Sequence, residues 1–169
     1  MQTKNNIVLI GMPASGKSTV GVILAKILGM DFIDTDILIQ QKEGARLSRI
    51  IEMNGIDDFL KREERALLDL NVSGTVIATG GSAVYSDTAM KHLAEGSVVI
   101  YLKAKLDEIK KRLGDIKERG VVLKDGESIE EMYNVRSGLY EKYADITVDE
   151  DGRTIDDTIR KILDGFRKI

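Results

Sequence analysis

A glycine-rich run near the start of the chain is the feature that most constrains its fold. Residues Gly11 to Ser18 fit the pattern G-x-x-x-x-G-K-[ST], with Lys17 in the last position but one. Four apolar residues at 7–10 precede the run and predict a buried strand, and apolar residues at helical spacing over 20–28 follow it. A strand, a glycine loop and a helix in this order are the context in which the pattern forms a phosphate-binding loop.

The residue types in this run have a defined chemistry. Glycines let the backbone pass close to an anion, and the N–H groups at the start of the helix point at it with the helix dipole behind them. Lys17 is expected to reach the β- and γ-phosphates of a nucleotide, and the Ser18 hydroxyl to ligate Mg²⁺. The alternative is a glycine turn that binds nothing. The residues expected to contact the nucleotide here are Gly11, Ala14, Ser15, Gly16, Lys17, Ser18 and Thr19.

Strand and helix patterns alternate along the rest of the chain. Short apolar runs predict further strands at residues 31–34, 75–78, 98–102 and 146–148. Helical patterns cover residues 37–71 with breaks near Gly44 and Gly55, and then residues 87–94, 106–113, 129–143 and 154–168. This alternation predicts an α/β protein with a five-stranded parallel sheet and helices on both faces, which makes three layers. We expect residues 1–169 to form a single domain with this P-loop fold.

The composition argues against several classes of function. With 43% hydrophobic and 31% charged residues, the chain has the make-up of a globular protein with a sizeable core. A net charge of −3 without a basic stripe argues against nucleic acid as a partner. The absence of cysteine excludes disulfides and thiolate metal sites and suits a reducing compartment. Because the first residues lack the apolar stretch of a signal peptide and no apolar run could span a membrane, we expect a cytoplasmic protein without membrane contact.

Small polar clusters follow the first three predicted strands. They are the glycine-rich run itself, residues 34–36 and residues 79–82. In open α/β sheets, ligands bind beyond the carboxyl ends of the strands, so these three clusters predict one site at one edge of the sheet. The last of them, Thr79-Gly80-Gly81-Ser82, offers backbone N–H groups with little side chain in the way, unless it is an ordinary strand-to-helix turn.

Two aspartates in the second cluster are candidates for the chemistry. Asp34 and Asp36 flank Thr35, so in an extended segment both carboxylates face the same side. One of them could hold Mg²⁺ through water while the other orients or deprotonates an attacking hydroxyl. A solvated turn or a helix N-cap is the alternative, because aspartate is a favoured N-cap residue.

Residues 114–127 predict a mobile lid, because they combine weak periodicity, mixed charge, three glycines and few apolar anchors. Arg119 could close with this segment over a transferring phosphoryl group, or could be a solvated surface arginine. Arg136 lies on the predicted helix before the last strand. It could clamp an anionic substrate or form a surface salt bridge.

Taken together, these motifs resemble those of the shikimate kinases, small P-loop kinases that transfer the γ-phosphate of ATP to a ring hydroxyl. The similarity covers nearly the whole chain. The similarity rests on residues 11–21, 32–36, 79–84 and 144–148, together with Arg136 and Leu139-Tyr140. The resemblance implies ATP and Mg²⁺ as cofactors and shikimate as the acceptor, which is converted to shikimate 3-phosphate in aromatic amino acid biosynthesis. We also expect a monomer.

The resemblance also implies roles for individual residues. Asp34 matches the aspartate on the magnesium side, next to Ser18, and Asp36 the one that faces the acceptor hydroxyl. The resemblance places Lys17, Asp36 and Arg119 in catalysis, with Asp36, Gly80, Gly81, Ser82 and Arg136 on the acceptor and residues 37–71 as acceptor-binding helices. Arg112 falls where the family packs an arginine on adenine, Arg119 where the lid arginine reaches the phosphates, and Arg153 on the adenine side.

The chain departs from the family pattern at several positions. Leu60 stands where family members usually carry one of two arginines that grip the shikimate carboxylate, Gly120 where proline usually follows the lid arginine, and Ser82 at the third glycine. On a helix, Glu63 lies one turn from position 60, so it could pair with Arg136 instead. These departures leave open a different acceptor, such as another polyol or hydroxy acid.

Other nucleotide-binding classes fit the sequence less well. A nucleoside monophosphate kinase is less favoured, since one isolated arginine in the lid and the aspartate pair suit a neutral hydroxyl acceptor. A GTPase-type switch lacks N-K-x-D for guanine, and the single D-x-x-G, residues 149–152, comes too late in the chain. A nucleotide-binding module without catalysis is the remaining alternative, against which Lys17 and the aspartate pair argue.

Overall fold

The structure is a computed structural model that describes residues 4–114, 119–150 and 154–166. Its strands are β1 (Asn6–Ile10), β2 (Asp31–Asp34), β3 (Thr75–Ala78), β4 (Ser97–Lys103) and β5 (Ile146–Asp149). Its helices are α1 (Lys17–Leu28), α2 (Thr35–Glu43), α3 (Leu47–Asn54), α4 (Ile56–Leu68), α5 (Asp87–Glu95), α6 (Leu106–Leu113), α7 (Ile129–Tyr143) and α8 (Ile155–Phe166), with a short 3₁₀ helix at Ala83–Tyr85.

The strands form one parallel sheet in the order β2-β3-β1-β4-β5. β1 is central: its Val8 pairs with Ile77 of β3 on one side and with Val99 of β4 on the other. The predicted α/β class with five parallel strands is therefore confirmed. Because the glycine loop leaves the central strand, it emerges in the middle of the sheet's carboxyl edge, between the ends of β3 and β4.

Two apolar cores lie on the two faces of the sheet. Alternate residues of β1 point to opposite faces, so Val8 and Ile10 enter one core while Ile7 and Leu9 enter the other. Helices α4, α5, α6 and α7 cover the first core, and α1 and α8 cover the second. The strands read as nearly continuous apolar runs because both faces are covered. This arrangement is the predicted three-layer architecture.

A third, smaller core lies beyond the sheet, among α2, α3 and α4. Helix breaks occur near both predicted positions, with Gly44 at φ 65° and Gly55 at φ 81°. The buried members of this core from the three helices are Ile39, Leu47, Ile50, Phe59 and Ala66. Val122 joins them and is only 3% exposed. Val122 is therefore one buried apolar anchor within the 114–127 segment, whose role as a lid stays a prediction, and residues 115–118 lie outside the described residues.

Element boundaries differ from the sequence-based ones by up to three residues, the largest difference being the end of α4 at Leu68 instead of residue 71. Helix α2 begins at Thr35, two residues earlier than predicted, because the Asp34 side chain caps it by accepting from the backbone N–H groups of Asp36 and Ile37. In the part of the chain that the structure describes, no helix is long and apolar enough to cross a membrane.

Close packing of α1 on β2 generates a stability prediction. A Cβ added at Gly21 would lie 2.6 Å from Phe32 Cε2 and 3.3 Å from Leu9 Cδ1. We expect Gly21→Ala to lower the free energy of unfolding by about 1–3 kcal/mol through overpacking. At Gly138 in α7, an added Cβ would meet nothing within 4 Å, so Gly138→Ala should raise stability by up to about 1 kcal/mol. Urea denaturation of both variants would test this, and equal effects would contradict the packing account.

Candidate active site

A cavity of about 670 Å³ opens at the carboxyl edge of the sheet. It brings together most of the residues singled out in the sequence: Ala14, Gly16, Lys17, Ser18, Thr19, Asp36, Gly80, Gly81, Ser82, Arg112, Arg119 and Arg136. Gly11, Ser15 and Asp34 do not line the cavity, and Arg153 lies outside the described residues. Pro13 of the glycine loop lines it as well, and so do Leu47 and Phe59, which sequence reasoning missed because an apolar residue in a helix reads first as core.

The glycine loop is tightly folded at the start of α1. Gly16 occupies the N-cap position in the left-handed region at φ 85°, and Ala14 has φ 63°, which is unusual for a residue with a side chain. A Cβ at Gly11 would lie 2.6 Å from the Leu102 carbonyl oxygen, so β4 allows no side chain there. Ser15 is fully buried, and its N–H donates to the Met12 carbonyl. The loop is therefore wrapped against the sheet, with the N-terminus of α1 facing the cavity.

Lys17 is a buried cation at the floor of this loop. Its Nζ donates to the carbonyl oxygens of Gly11 at 2.9 Å and of Met12 at 2.7 Å, with Ser15 Oγ at 3.4 Å. Burial lowers the pKa of Lys17 to about 8, although Asp36 and two further carboxylates oppose the change. The ammonium group is thus held by neutral carbonyls, with no salt bridge among the described residues, and an incoming anion would be its strong partner.

Ser18 and Asp34 meet at the mouth of the loop. Ser18 Oγ donates to Asp34 Oδ2 at 2.5 Å, while Asp34 Oδ1 accepts from the backbone N–H groups that start α2. Asp34 is therefore both a helix cap and a partner of the loop, which joins the two alternatives that its sequence position left open. A hydroxyl and a carboxylate this close are hard oxygen donors of the kind Mg²⁺ takes when phosphates and water fill its other positions, so the pair fits that ion.

Asp36 lies across the cavity from the loop, in the first turn of α2. The pKa of Asp36 is raised to about 6, chiefly by burial and also by the Asp34 carboxylate, while Lys17 acts in the opposite sense. The carboxylate is half-buried and borders the cavity. Asp36 and Lys17 therefore interact electrostatically across the cavity that both of them line.

The second glycine cluster is held rigidly between α2 and α7. The backbone N–H of Gly80 donates to Thr35 Oγ1 at 3.1 Å, and the Gly81 carbonyl accepts from Tyr140 OH at 2.6 Å. Thr35 and Tyr140 are fully buried. A Cβ at Gly81 would lie 2.7 Å from Pro13 Cδ, so this turn packs directly on the phosphate loop. Glycine is required here by close approach to neighbouring groups.

Arg136 is a buried cation that lines the cavity, only 1% exposed. Its Nε donates to Tyr85 OH at 3.1 Å, its Nη2 donates to the Val122 carbonyl, and its guanidinium lies 5.0 Å from the centroid of the Tyr85 ring. The third nitrogen, Nη1, would lie 3.1 Å from a Cβ at Gly81 and faces that turn. A surface salt bridge is therefore not the role of Arg136. Tyr85 was not singled out in the sequence, where tyrosines of the helices read as core.

Glu63 is the main acidic group that the sequence interpretation placed incorrectly. It does not pair with Arg136: its Oε2 accepts from Ser82 Oγ at 2.6 Å, and its Oε1 is buried without a hydrogen-bond partner. Glu63 is 2% exposed, and burial raises its pKa to about 7, while the Ser82 hydroxyl lowers it. Serine in place of glycine at position 82 thus has a contact that explains it.

Two further arginines border the cavity, and one of them lies beside a carboxylate that the sequence analysis missed. Arg112 Nη1 donates to the Ala14 carbonyl at 3.4 Å and lies 3.7 Å from Glu150 Oε2. Glu150 follows β5 and is buried, which raises its pKa, while Arg112 and Lys17 act in the opposite sense. Its place at the end of a strand was the available signal. Arg119 is exposed and borders the cavity next to Gly120, where a Cβ would lie 2.6 Å from Leu47 Cβ.

The fold and the cavity together define a class. A glycine loop at the centre of a parallel sheet, a buried lysine in it and a carboxylate opposite form the arrangement of a P-loop kinase that acts on a small molecule. A sequence profile described as "Shikimate kinase" matches residues 13–167. The chain belongs to the shikimate kinase family.

Individual relatives agree with the profile. A shikimate kinase of Haemophilus influenzae is 38% identical over 169 residues, which cover 97% of this chain and 93% of the relative. The solved shikimate kinase from Acinetobacter baumannii in complex with shikimate superposes with a TM-score of 0.89 at 30% identity, over 99% of this chain and 95% of the other. The shikimate kinase from Aquifex aeolicus gives a TM-score of 0.84 at 30% identity, over 96% of both chains. Membership of this family argues against the GTPase-type and nucleoside monophosphate kinase alternatives.

The buried carboxyl of Glu63 generates a prediction about pH and stability. Folded Glu63 keeps its proton to about pH 7, whereas its ordinary pKa is 4.5. Between these values the folded state binds more protons than the unfolded state, so the free energy of unfolding falls as the pH rises through this window. Glu63→Gln should remove that fall. The difference in the free energy of unfolding between this variant and wild type should therefore change in favour of the variant by up to about 3 kcal/mol when the pH is raised from 5 to 8.

Urea denaturation at both pH values would measure this effect. Glu64→Gln is the matched control, because Glu64 is the next residue of α4 and its carboxylate accepts from Ser86 Oγ at 2.5 Å. Its stability relative to wild type should differ little between the two pH values. An equal pH effect in both variants would contradict the assignment to Glu63.

Proposed function

We propose that the protein transfers the γ-phosphate of ATP to a hydroxyl of shikimate, giving shikimate 3-phosphate and ADP. The observation that carries the proposal is the division of one cavity into two halves. Lys17 and the N-terminus of α1 form an anion-binding half, while Asp36, Gly80 and Arg136 form a half with a carboxylate, a glycine turn and a cation. Phosphoryl transfer needs this pairing of a phosphate cradle with a positioned hydroxyl acceptor.

On the phosphate side, the loop backbone and Lys17 would neutralise the charge of the transferring group. Lys17 would exchange its carbonyl partners for phosphate oxygens, and charge-assisted hydrogen bonds are about twice as strong as neutral ones. Arg119 would add a second cation from the other side of the cavity. Arg112 lies beside the loop at Ala14, where it would pack on the nucleotide. Ser18 and Asp34 would hold Mg²⁺, which when bound supplies further neutralisation of phosphate charge.

On the acceptor side, Asp36 would orient the attacking hydroxyl and take its proton. Its raised pKa of about 6 makes it a better proton acceptor than an ordinary aspartate and leaves it mostly ionised at neutral pH. Gly80, Gly81 and Ser82 would form the wall against which the ring lies. Arg136 would receive the carboxylate of the acceptor through its remaining donors, since Tyr85 and Val122 already fix the plane of the guanidinium.

A different hydroxy acid or polyol is the second candidate acceptor, and Leu60 favours it. Leu60 is half-buried and borders a cavity of about 140 Å³ together with Glu63, Ser82 and Tyr85. The resemblance puts a carboxylate-binding arginine at this position, and here the side chain brings no charge. Leu60 does not line the large cavity, and among the described residues of its acceptor half Arg136 is the cation that the chain offers to an acceptor carboxylate.

Substitution of Lys17 and of Asp36 should damage different steps. Lys17→Ala should reduce turnover and weaken ATP binding, because Lys17 acts on the phosphates. Asp36→Asn should leave ATP binding near normal while turnover falls by roughly 10²–10⁴, the range for loss of a positioned general base. Calorimetry with ATP and steady-state kinetics on each variant would separate the two roles. Equal loss of ATP binding in both variants would refute the assignment. Lys26→Ala, at the other end of α1, is the control and should change neither.

Leu60→Arg should report on the acceptor. If shikimate is the substrate, a second guanidinium near its carboxylate adds a charge-assisted hydrogen bond and should lower KM for shikimate by roughly ten- to a hundredfold. If the acceptor carries no carboxylate, a cation would be buried without a ligand partner, and activity should fall. Kinetics with shikimate would distinguish the cases, with Leu60→Gln as the uncharged control. A low micromolar wild-type KM that does not respond to Leu60→Arg would show that the missing arginine is compensated elsewhere.

A further inference from the structure

Glu63 is a buried carboxyl group without a counter-ion. Its Oε2 accepts one hydrogen bond, from Ser82, and its Oε1 has no partner. Within the described residues, no salt bridge reaches it. A buried ionised carboxylate with one hydrogen bond and no cation is costly, and a proton removes most of that cost.

The groups around Glu63 come from three other parts of the fold. Asp36 faces it from α2. A Cβ added at Gly80 would lie 2.7 Å from Asp36 Oδ1 and would collide with Glu63 Oε1. Because both oxygens lie so close to that one point, Asp36 Oδ1 and Glu63 Oε1 are within about 5 Å of each other. Arg136 faces it from α7, and Ser82 contacts it from the turn before the 3₁₀ helix. The Asp36 charge favours the protonated form of Glu63, and the Arg136 charge and the Ser82 hydroxyl favour the ionised form.

Neighbours on its own helix do not neutralise Glu63. Leu60 is apolar, and Lys61 is exposed on the rim of the small cavity that both residues share with Glu63. The carboxylate of Glu64 is engaged with Ser86, and Arg62 turns to Asp58 and Glu43. Among the described residues, Arg136 is therefore the cation whose charge acts on the pKa of Glu63. It is also the cation proposed to receive the acceptor carboxylate.

We infer that Glu63 is a specificity-determining residue, which must hold a proton for the pocket to bind an anionic acceptor at Arg136. This inference rests on the proposed function. When Glu63 is protonated, the Arg136 charge is available to the acceptor carboxylate. When Glu63 is ionised, it shares the Arg136 charge and repels the incoming anion, so the acceptor binds more weakly while the nucleotide side is unaffected.

Binding and protonation are then reciprocally coupled. An anionic acceptor that draws on Arg136 removes part of what stabilises ionised Glu63, and so it raises the affinity of Glu63 for its proton. Above pH 7 the binding of shikimate should be accompanied by uptake of a proton. An uncharged acceptor analogue, such as the methyl ester of shikimate, should bind without this coupling.

The test is the pH dependence of KM for shikimate between pH 6 and pH 9, at saturating ATP and Mg²⁺. For the wild-type enzyme we expect KM to rise roughly tenfold or more above a break near pH 7, where Glu63 loses its proton. Glu63→Gln should give a KM that does not change with pH, since the amide keeps the contact with Ser82 and cannot ionise. Ser82→Ala should move the break to higher pH, because the Ser82 hydroxyl stabilises the ionised form. Glu64→Gln should keep the wild-type profile.

Calorimetry gives a second measurement that does not depend on turnover. Titration of shikimate into the enzyme at pH 8, in buffers of different ionisation enthalpy, should show proton uptake in wild type and none in Glu63→Gln. If Glu63→Gln fails to fold, the direction of the shift in Ser82→Ala still decides the matter, and an unmoved break would overturn the inference.

The outcomes separate this inference from the proposed function. Turnover of shikimate with a flat wild-type KM, or a rise that persists in Glu63→Gln, would overturn the role of Glu63 and leave the kinase activity standing. No turnover of shikimate at any pH would overturn the proposed function and the inference with it. Equal proton uptake with shikimate and with its methyl ester would show that the acceptor charge is not what Glu63 senses.

Discussion

The site depends on one buried ammonium group. Lys17 lies in the floor of the phosphate loop, and the carbonyls of Gly11 and Met12 hold it there. The loop that carries these carbonyls packs closely on β4, where a side chain at Gly11 would collide with the Leu102 carbonyl oxygen. The loop is in turn fixed by β1, which is paired on both sides and buried on both faces. The central position of β1 therefore determines where positive charge faces the cavity.

The buried charges on the proposed acceptor side are neutralised in a different way from those on the proposed phosphate side. Among the described residues, the half proposed for phosphate has the loop amides, Lys17 and Arg119, whereas the half proposed for the acceptor has Asp36 and the buried Arg136, with Glu63 buried beside it. With leucine at position 60, the second carboxyl has no cation of its own. Ser82 gives it one hydrogen bond, and burial raises its pKa, which favours the protonated form. The two departures from the family pattern, at positions 60 and 82, are thus connected through Glu63.

Arg136 also connects the proposed acceptor half of the cavity to the 114–127 segment, through Val122. Its Nη2 donates to the Val122 carbonyl, and the Val122 side chain is buried in the core formed by α2, α3 and α4. A ligand that moves the guanidinium would therefore act on the same segment that carries Arg119. The lid role of residues 114–127 stays a prediction, and the structure adds a physical contact through which acceptor binding could influence it.

The sequence by itself determined the fold class and the edge of the sheet where the polar clusters meet. Apolar runs of strand length alternate with helical patterns, and helices end at Gly44 and Gly55 as predicted. Apolar periodicity and helix-breaking glycines can be read from the sequence because they depend on burial and local conformation alone. The cluster at Gly11–Ser18, the pair Asp34 and Asp36, and the turn at Gly80 were identifiable because each directly follows a strand. The strand order was not, since it depends on which strands pair across the sheet.

Tertiary structure alone decided the partners of the charged side chains. Helical spacing put Glu63 near position 60 but could not show that its carboxyl would turn to Ser82, because that contact joins residues 19 positions apart across two elements. The anchoring of Val122 and the burial of Arg136 beside Tyr85 are likewise contacts between distant segments. A sequence pattern reports which face of an element is apolar, while the pairing of buried polar groups is set by the few atoms that packing brings within hydrogen-bond distance.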